Sequence, residues 1–290
     1  MSMAELVLLV IKASIVTIVF ALGLNARPSD LTYLFRHPAL MAKSLLAMIV
    51  IMPVAAVLLI KGMGLHGPVA ILLVTLSLAP VPPILPRKQI KTGGDSAYAI
   101  GLLATVGLVS IVWIPLALEL IQRLSGVPLD MPAAKVAPVV AMTVLGPLAA
   151  GILVAALVPG PAGKAQPWVA KLGMLLLVVG ALAILVSQWK GMAHLVGNGT
   201  LIAFIAFVFI GQAVGHLLGG PDPNDRTVLA MAASSRHPGI AFAIAHLNFP
   251  HEKALVAAVL LFLVVNMIAS IPYMTWRKKA GAADALPITT

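Results

Sequence analysis

Apolar and polar positions alternate on a long scale in this chain: nine apolar stretches are separated by short connections that hold most of the charge. The stretches run at about 5–24, 37–60, 69–84, 97–121, 136–158, 172–188, 201–218, 228–247 and 254–276. A helix that spans a bilayer needs about 20 residues at 1.5 Å rise each. None of the stretches shows the apolar/polar alternation of a barrel strand. The pattern therefore predicts an all-α integral membrane protein with nine transmembrane helices.

Two of the nine stretches are interrupted. In 228–247, VLAMAASSRHPGIAFAIAHL, the residues Arg236, His237, Pro238 and Gly239 fall at mid-span. Pro238 removes a backbone donor and clashes with the preceding turn, so the helix is expected to break there. In 79–97, APVPPILPRKQIKTGGDSA, the residues Pro80, Pro82, Pro83 and Pro86 leave no place for a continuous helix. A half-helix is predicted to resume at Arg87 and to stop at Gly93 and Gly94, which leaves Arg87 and Lys88 at the break. Backbone groups freed at membrane depth are tolerated only where protein or a polar cavity receives them. A guanidinium at that depth costs ~2.5–3.5 kcal/mol on insertion scales, so intramembrane charge is read as functional. The candidate substrate-binding residues are thus Arg236, His237, Arg87 and Lys88, with helix breaks at Pro82, Pro83, Pro86, Pro238 and Gly239.

The two interruptions occupy matching places. Segments one to four and six to nine have the same order and begin on opposite sides of the membrane, which makes the repeat inverted, with segment five between the halves. Paired, proline-interrupted spans in corresponding positions point to a transporter whose site lies at the bilayer midplane.

Composition agrees with the class: 61% of the residues are hydrophobic and 10% charged, with a mean hydropathy of +1.07. The net charge of +10 suggests a nucleic-acid partner until the charges are located. Twelve lysines and arginines sit in connections on one side and five in those on the other, so they set topology rather than bind nucleic acid. The basic side is cytoplasmic by the positive-inside rule, which puts the N-terminus outside and the C-terminal WRKK inside, in a plasma or inner membrane. The first segment lacks a basic leader and a cleavage site and is read as a retained helix. There is no cysteine, no H-E-x-x-H, no G-x-S-x-G, no phosphate-binding loop and no aspartate pair inside a span, so an enzyme is not expected, nor any cofactor or metal site.

Short motifs then carry a resemblance. LGLNARPSDLTYLFRHP followed by IMP, the dipeptide Gly94-Asp95 after the first break, and the A-x-A-x-A run ending at Ala245 are similar to the bile acid/sodium symporter family. The resemblance implies a panel domain and a core domain whose two broken helices cross, and nine spans would match members that lack the first of ten helices. On that mapping the panel is 5–24, 136–158 and 172–188, the core is 37–121 and 201–276, and 277–290 is a cytoplasmic tail. The resemblance also implies where sodium ligands would stand, and those places hold Leu85, Pro86, Ala99, Leu103, Ala232 and Arg236. None of these side chains offers the oxygen that a hard cation requires. A pocket without carboxylates and with an arginine inside repels cations, which argues against sodium coupling.

A physical alternative follows from the charges. All nine acidic residues lie in connections, tails or segment ends, so Arg236 has no carboxylate at its own depth. It can act as a fixed cation for a small organic anion, helped by roughly half a positive charge at each half-helix N-terminus. The competing reading makes Arg236 a structural clasp for the carbonyls of the two breaks. Likewise His237 can be a packing residue, Arg87 and Lys88 part of a solvated inner loop, and Gln212, His216 and Asn266 polar links between helices. An anion channel, or a receptor or scaffold on the same fold, also stays open.

Overall fold

The computed structural model describes residues 3–284 and contains no strand among them. Helix α1 (Met3–Gly23) leads into two one-turn helices, α2 (Pro28–Leu31) and α3 (Tyr33–Arg36), in the first basic connection. Helix α4 (Pro38–Leu45), a π-helical turn π1 (Leu46–Ile51) and α5 (Met52–Met63) form one continuous rod. Helix α6 (Gly67–Leu78) lies in the third apolar stretch and α7 (Leu85–Lys91) follows directly after its end, and α8 (Ser96–Ser125) makes the fourth. A second rod with a π-helical turn follows: α9 (Ala133–Val140), π2 (Ala141–Leu145) and α10 (Gly146–Leu157). Then come α11 (Pro159–Leu195) and α12 (Thr200–Leu218), the divided pair α13 (Pro223–Ser234) and α14 (Pro238–Asn248), and finally α15 (Leu255–Ala269) and α16 (Ile271–Asp284).

Among the described residues seven helical runs are long and apolar enough to cross a membrane: Glu5–Gly23, Pro38–Met63, Ser96–Ser125, Ala133–Leu157, Pro159–Leu195, Thr200–Leu218 and Leu255–Ala280. Around the two interruptions the helices are shorter, 12 and 7 residues on either side of 79–84 and 12 and 11 on either side of 235–237. Twelve residues rise about 18 Å, well short of a hydrocarbon core of about 30 Å.

The element ends correct several sequence-based boundaries. α7 resumes at Leu85 rather than Arg87, because Pro86 sits in its first turn, where a missing N–H belongs to no ladder. Pro86 is therefore part of the helix and not of the break, and Arg87 and Lys88 lie inside α7. Pro238 and Gly239 likewise open α14, so the non-helical residues there are 235–237. The sixth stretch, expected at 172–188, belongs to a helix of 37 residues. At 1.5 Å per residue that is about 55 Å, longer than a hydrocarbon core of about 30 Å, and Lys164 and Lys171 are exposed near its N-terminal end. Of the expected tail, 277–284 continue α16, and 285–290 lie outside the described residues. Arg277 is buried because its Nε donates to Thr227 Oγ1 at 2.8 Å and its Nη2 to the Pro223 carbonyl at 3.0 Å.

Close approach of backbones organises the packing. α1 packs along α10 and α11, with Gly23 facing Gly151 so that a Cβ on Gly23 would lie 2.9 Å from the Gly151 Cα. α12 packs along α13 through Gly211, Gly215 and Gly219, a small-xxx-small row that lets the two helices meet at backbone distance. α14 packs on α6, and α13 on α7. Phe262 on α15 meets Phe204 edge-on, with ring centres 5.5 Å apart, and closes one apolar core; Met48, Tyr98 and Val228 belong to the other.

Candidate functional site

The two non-helical stretches, residues 79–84 and 235–237, meet inside the protein and complete each other's hydrogen bonding. The His237 amide donates to the Pro80 carbonyl at 2.8 Å. Arg236 Nη1 donates to the Ala79 carbonyl at 3.3 Å. Asn266 on α15 closes the second stretch from behind: its Nδ2 donates to the Ser234 carbonyl at 2.7 Å, and its Oδ1 accepts from Ser235 Oγ at 3.1 Å. These bonds answer the problem of backbone groups stranded in an apolar layer. Asn266 and Ser235 thus hold the start of 235–237, whereas Ser234 Oγ bonds back to the Ala230 carbonyl of its own helix at 2.9 Å.

Arg236 has a second partner that the sequence did not announce. Its Nη2 donates to the Met48 carbonyl, 3.0 Å away in π1. The Met52 amide bonds to the Ala47 carbonyl, five residues back, which sets the π register. In that register the Met48 carbonyl would pair with the amide of residue 53, which is Pro53 and has none. The guanidinium fills that vacancy. The same arrangement, a π turn with a proline two residues past its end, recurs at π2 and Pro147, and such turns frequent functional sites. A proline inside an apolar run was the available signal: it marks an orphaned carbonyl four or five residues earlier.

Arg236 is 2% exposed and has no carboxylate partner among the described residues. The ion pair Arg123–Glu119 lies far from it, on the exposed end of α8. Arg236 Nε finds no partner among the described residues. His237 is buried too. Its Nδ1 accepts from the Ile240 amide at 3.3 Å and caps α14, which leaves Nε2 as a donor without a partner. Two N–H donors, Arg236 Nε and His237 Nε2, are thus left open among the described residues where 79–84 meets 235–237.

Arg236 also lines a cavity of about 10 Å³ with Met48, Ile49, Leu78, Ala79 and, from α8, Ser110 and Trp113. Arg87 and Lys88 are absent from this lining. Arg87 Nη1 instead donates to the Ala170 carbonyl of α11 at 2.9 Å, while Gln89 on the same turn donates to the Val228 carbonyl at 2.7 Å and ties α7 to α13. Gln212 is buried on α12 with Nε2 unpartnered, and His216 Nδ1 meets Tyr273 Oη at 3.0 Å. Sequence reasoning did not single out Met48, Pro53, Ser110 or Trp113.

At the opposite end of α13 lies a second polar group. Asp225 Oδ1 is shielded from solvent and unpartnered among the described residues. Burial, then Asp222 and Asp95, push its carboxyl up to about 6, with His37 opposing. Burial, followed by the same three aspartates, pushes the Tyr33 hydroxyl up to about 12. Arg226 is turned away, its Nε donating to the Gly220 carbonyl at 2.7 Å.

Residues 13–195 match the family described as the sodium bile acid symporter family. The match runs from α1 to the end of α11 and includes 79–84, whereas Arg236 lies beyond it. No curated protein matches the chain.

Proposed function

The chain belongs to the sodium bile acid symporter family and is an integral membrane protein of a transporter family, and from that premise we propose that it moves a small organic anion by alternating access without using sodium. The reading takes the chain as nine spans in an inverted repeat. The third span is α6 with α7 and the eighth is α13 with α14, each broken at the midplane where they cross. The panel is α1, the α9–α10 rod and α11; the core is the remainder, with the N-terminus outside. Packing supports this division, since α1 lies on α10 and α11, whereas α6 meets α14 and α7 meets α13.

One observation carries the functional reading: a guanidinium 2% exposed, at the meeting of two helix interruptions, bonded to neutral carbonyls and to no carboxylate. Carbonyl dipoles satisfy its hydrogens but leave its net charge uncompensated. An organic anion supplies the missing charge, and in a poorly polarisable interior that attraction is far stronger than in water. Sodium has nothing comparable to bind, because Leu85, Pro86, Ala99, Leu103 and Ala232 offer no side-chain oxygen. His237 adds a neutral donor beside Arg236, and Arg87 and Lys88 act further inward, on the anion's path along α7.

The test is Arg236→Gln in purified protein, compared with Arg236→Lys, against a panel of monocarboxylates and dicarboxylates. An arginine–carboxylate bond is charge-assisted, so Gln weakens binding by about 1.5–3 kcal/mol, roughly 10-fold to 150-fold. Lys keeps the charge and rescues part of the affinity. Because Arg236 also holds the Ala79 and Met48 carbonyls, both variants melt earlier, and binding is read well below their melting temperatures. Unchanged affinity in folded Arg236→Gln assigns the residue to the scaffold alone.

A further inference from the structure

The anion reading of Arg236 is the basis for assigning a second recognition residue. The cavity beside Arg236 has a volume of about 10 Å³, room for one water-sized atom. Two carbonyls on its lining, those of Ala79 and Met48, already accept from Arg236. The Ser110 hydroxyl donates to the Gly107 carbonyl at 2.6 Å, so its proton is committed. Two of the residues that line it carry an open side-chain donor: Arg236 Nε and Trp113 Nε1, each buried and without a partner among the described residues. They come from different elements, Arg236 from the stretch after α13 and Trp113 from the middle of α8, and the cavity is the place where both residues meet.

Indole Nε1–H donates and never accepts, and Arg236 Nε is the same. A space with two open donors takes an acceptor atom, and a space of this size takes one. We propose that Trp113 is a recognition residue of the transport site, its indole N–H and the Arg236 Nε–H receiving one carboxylate oxygen of the substrate. Arg236 supplies charge, and Trp113 supplies direction. Leaving the indole donor buried and unanswered is unfavourable, so a ligand without an acceptor at this point is rejected.

The experiment uses benzoate, pyruvate and succinate as probes and follows both affinity and the indole proton. Trp113→Phe keeps an aromatic wall and removes the donor; affinity for a bound acid is expected to fall about tenfold, as for a hydrogen bond to a charged group. In wild-type protein labelled with ¹⁵N at the indole, titration with that acid moves the Trp113 Nε1–H resonance downfield. Trp168, Trp189 and Trp276, all exposed, stay in place. A structural role, or a resident water between the two donors, leaves the resonance unmoved at saturation and overturns the assignment. Wild-type affinity in Trp113→Phe alongside a loss in Arg236→Gln overturns it alone and spares the parent reading. Failure of wild-type protein to bind any of the three acids overturns both.

Discussion

Gly211→Ala tests whether backbone contact between α12 and α13 sets the position of the arginine. A methyl group on Gly211 would lie 2.6 Å from the Cα of Ser234 and 2.7 Å from its nitrogen. Ordinary contact begins at 3.4 Å, so the shortfall is 0.8 Å (3.4 less 2.6), and the obstacle is backbone rather than a side chain that can rotate away. Ser234 is the last residue of α13, two before Arg236, and its carbonyl is held by Asn266. Overpacking of this kind costs about 1–3 kcal/mol, which for a chain of this size lowers Tm by roughly 2–10 °C. The same displacement exceeds the slack in the Arg236–Ala79 bond, already 3.3 Å long, when hydrogen bonds fail beyond about 3.5 Å. Anion affinity should therefore fall with stability. Thermal melting of detergent-purified protein by tryptophan fluorescence reads the first effect, and the carboxylate panel reads the second. Gly163→Ala is the control, since its methyl meets nothing within 4 Å on the exposed helix α11. If Gly211→Ala melts with the control and binds like wild type, the seam does not position the site.

Asn266→Leu removes the donor to the Ser234 carbonyl and the acceptor of Ser235 Oγ while keeping the volume; leaving buried polar groups unanswered costs about 1–3 kcal/mol, so Tm falls, and an unshifted melt refutes the role of Asn266 as the clasp of 235–237. The Asp225 carboxyl is raised to about 6 in the folded protein, above its ordinary value of about 3.9. The folded state therefore favours the protonated form, and the stabilisation this gives is full below the unfolded value and lost as pH rises through about 6. Tm should decline between about pH 4 and 7, and Asp225→Asn should flatten that decline; an identical profile in the variant removes Asp225 as its source. Uptake of a bound acid into proteoliposomes should be unchanged when potassium replaces sodium at matched membrane potential, and a collapse of flux would restore sodium as the coupling ion.

The sequence was most informative where one residue's covalent chemistry decided the outcome. Pro82 and Pro83 in succession exclude a continuous helix through them, and 79–84 is non-helical. Pro86 and Pro238 misled by a few residues, because proline is equally at home in a first turn, and its position in a run does not say whether it ends one helix or begins the next. The extent of α11 was missed for a related reason. Lys164 and Lys171 look like a boundary in hydropathy, yet a helix that leaves the apolar layer keeps its hydrogen bonds and simply acquires a solvated face. The crossing was legible as a charge without a partner and illegible as a set of bonds. Arg236 reaches Met48, 188 positions away in sequence, and Ala79, 157 away, and no local periodicity encodes such pairings. Both acceptors were nonetheless foreshadowed, Met48 by Pro53 and Ala79 by the prolines after it, since each proline withholds an amide and leaves a carbonyl for some other donor. A guanidinium placed among orphaned carbonyls will bond to them whether or not it also meets a ligand, so the structural and substrate readings of Arg236 do not exclude each other. The carbonyls account for its hydrogens, and its uncompensated charge is what the anion experiments measure.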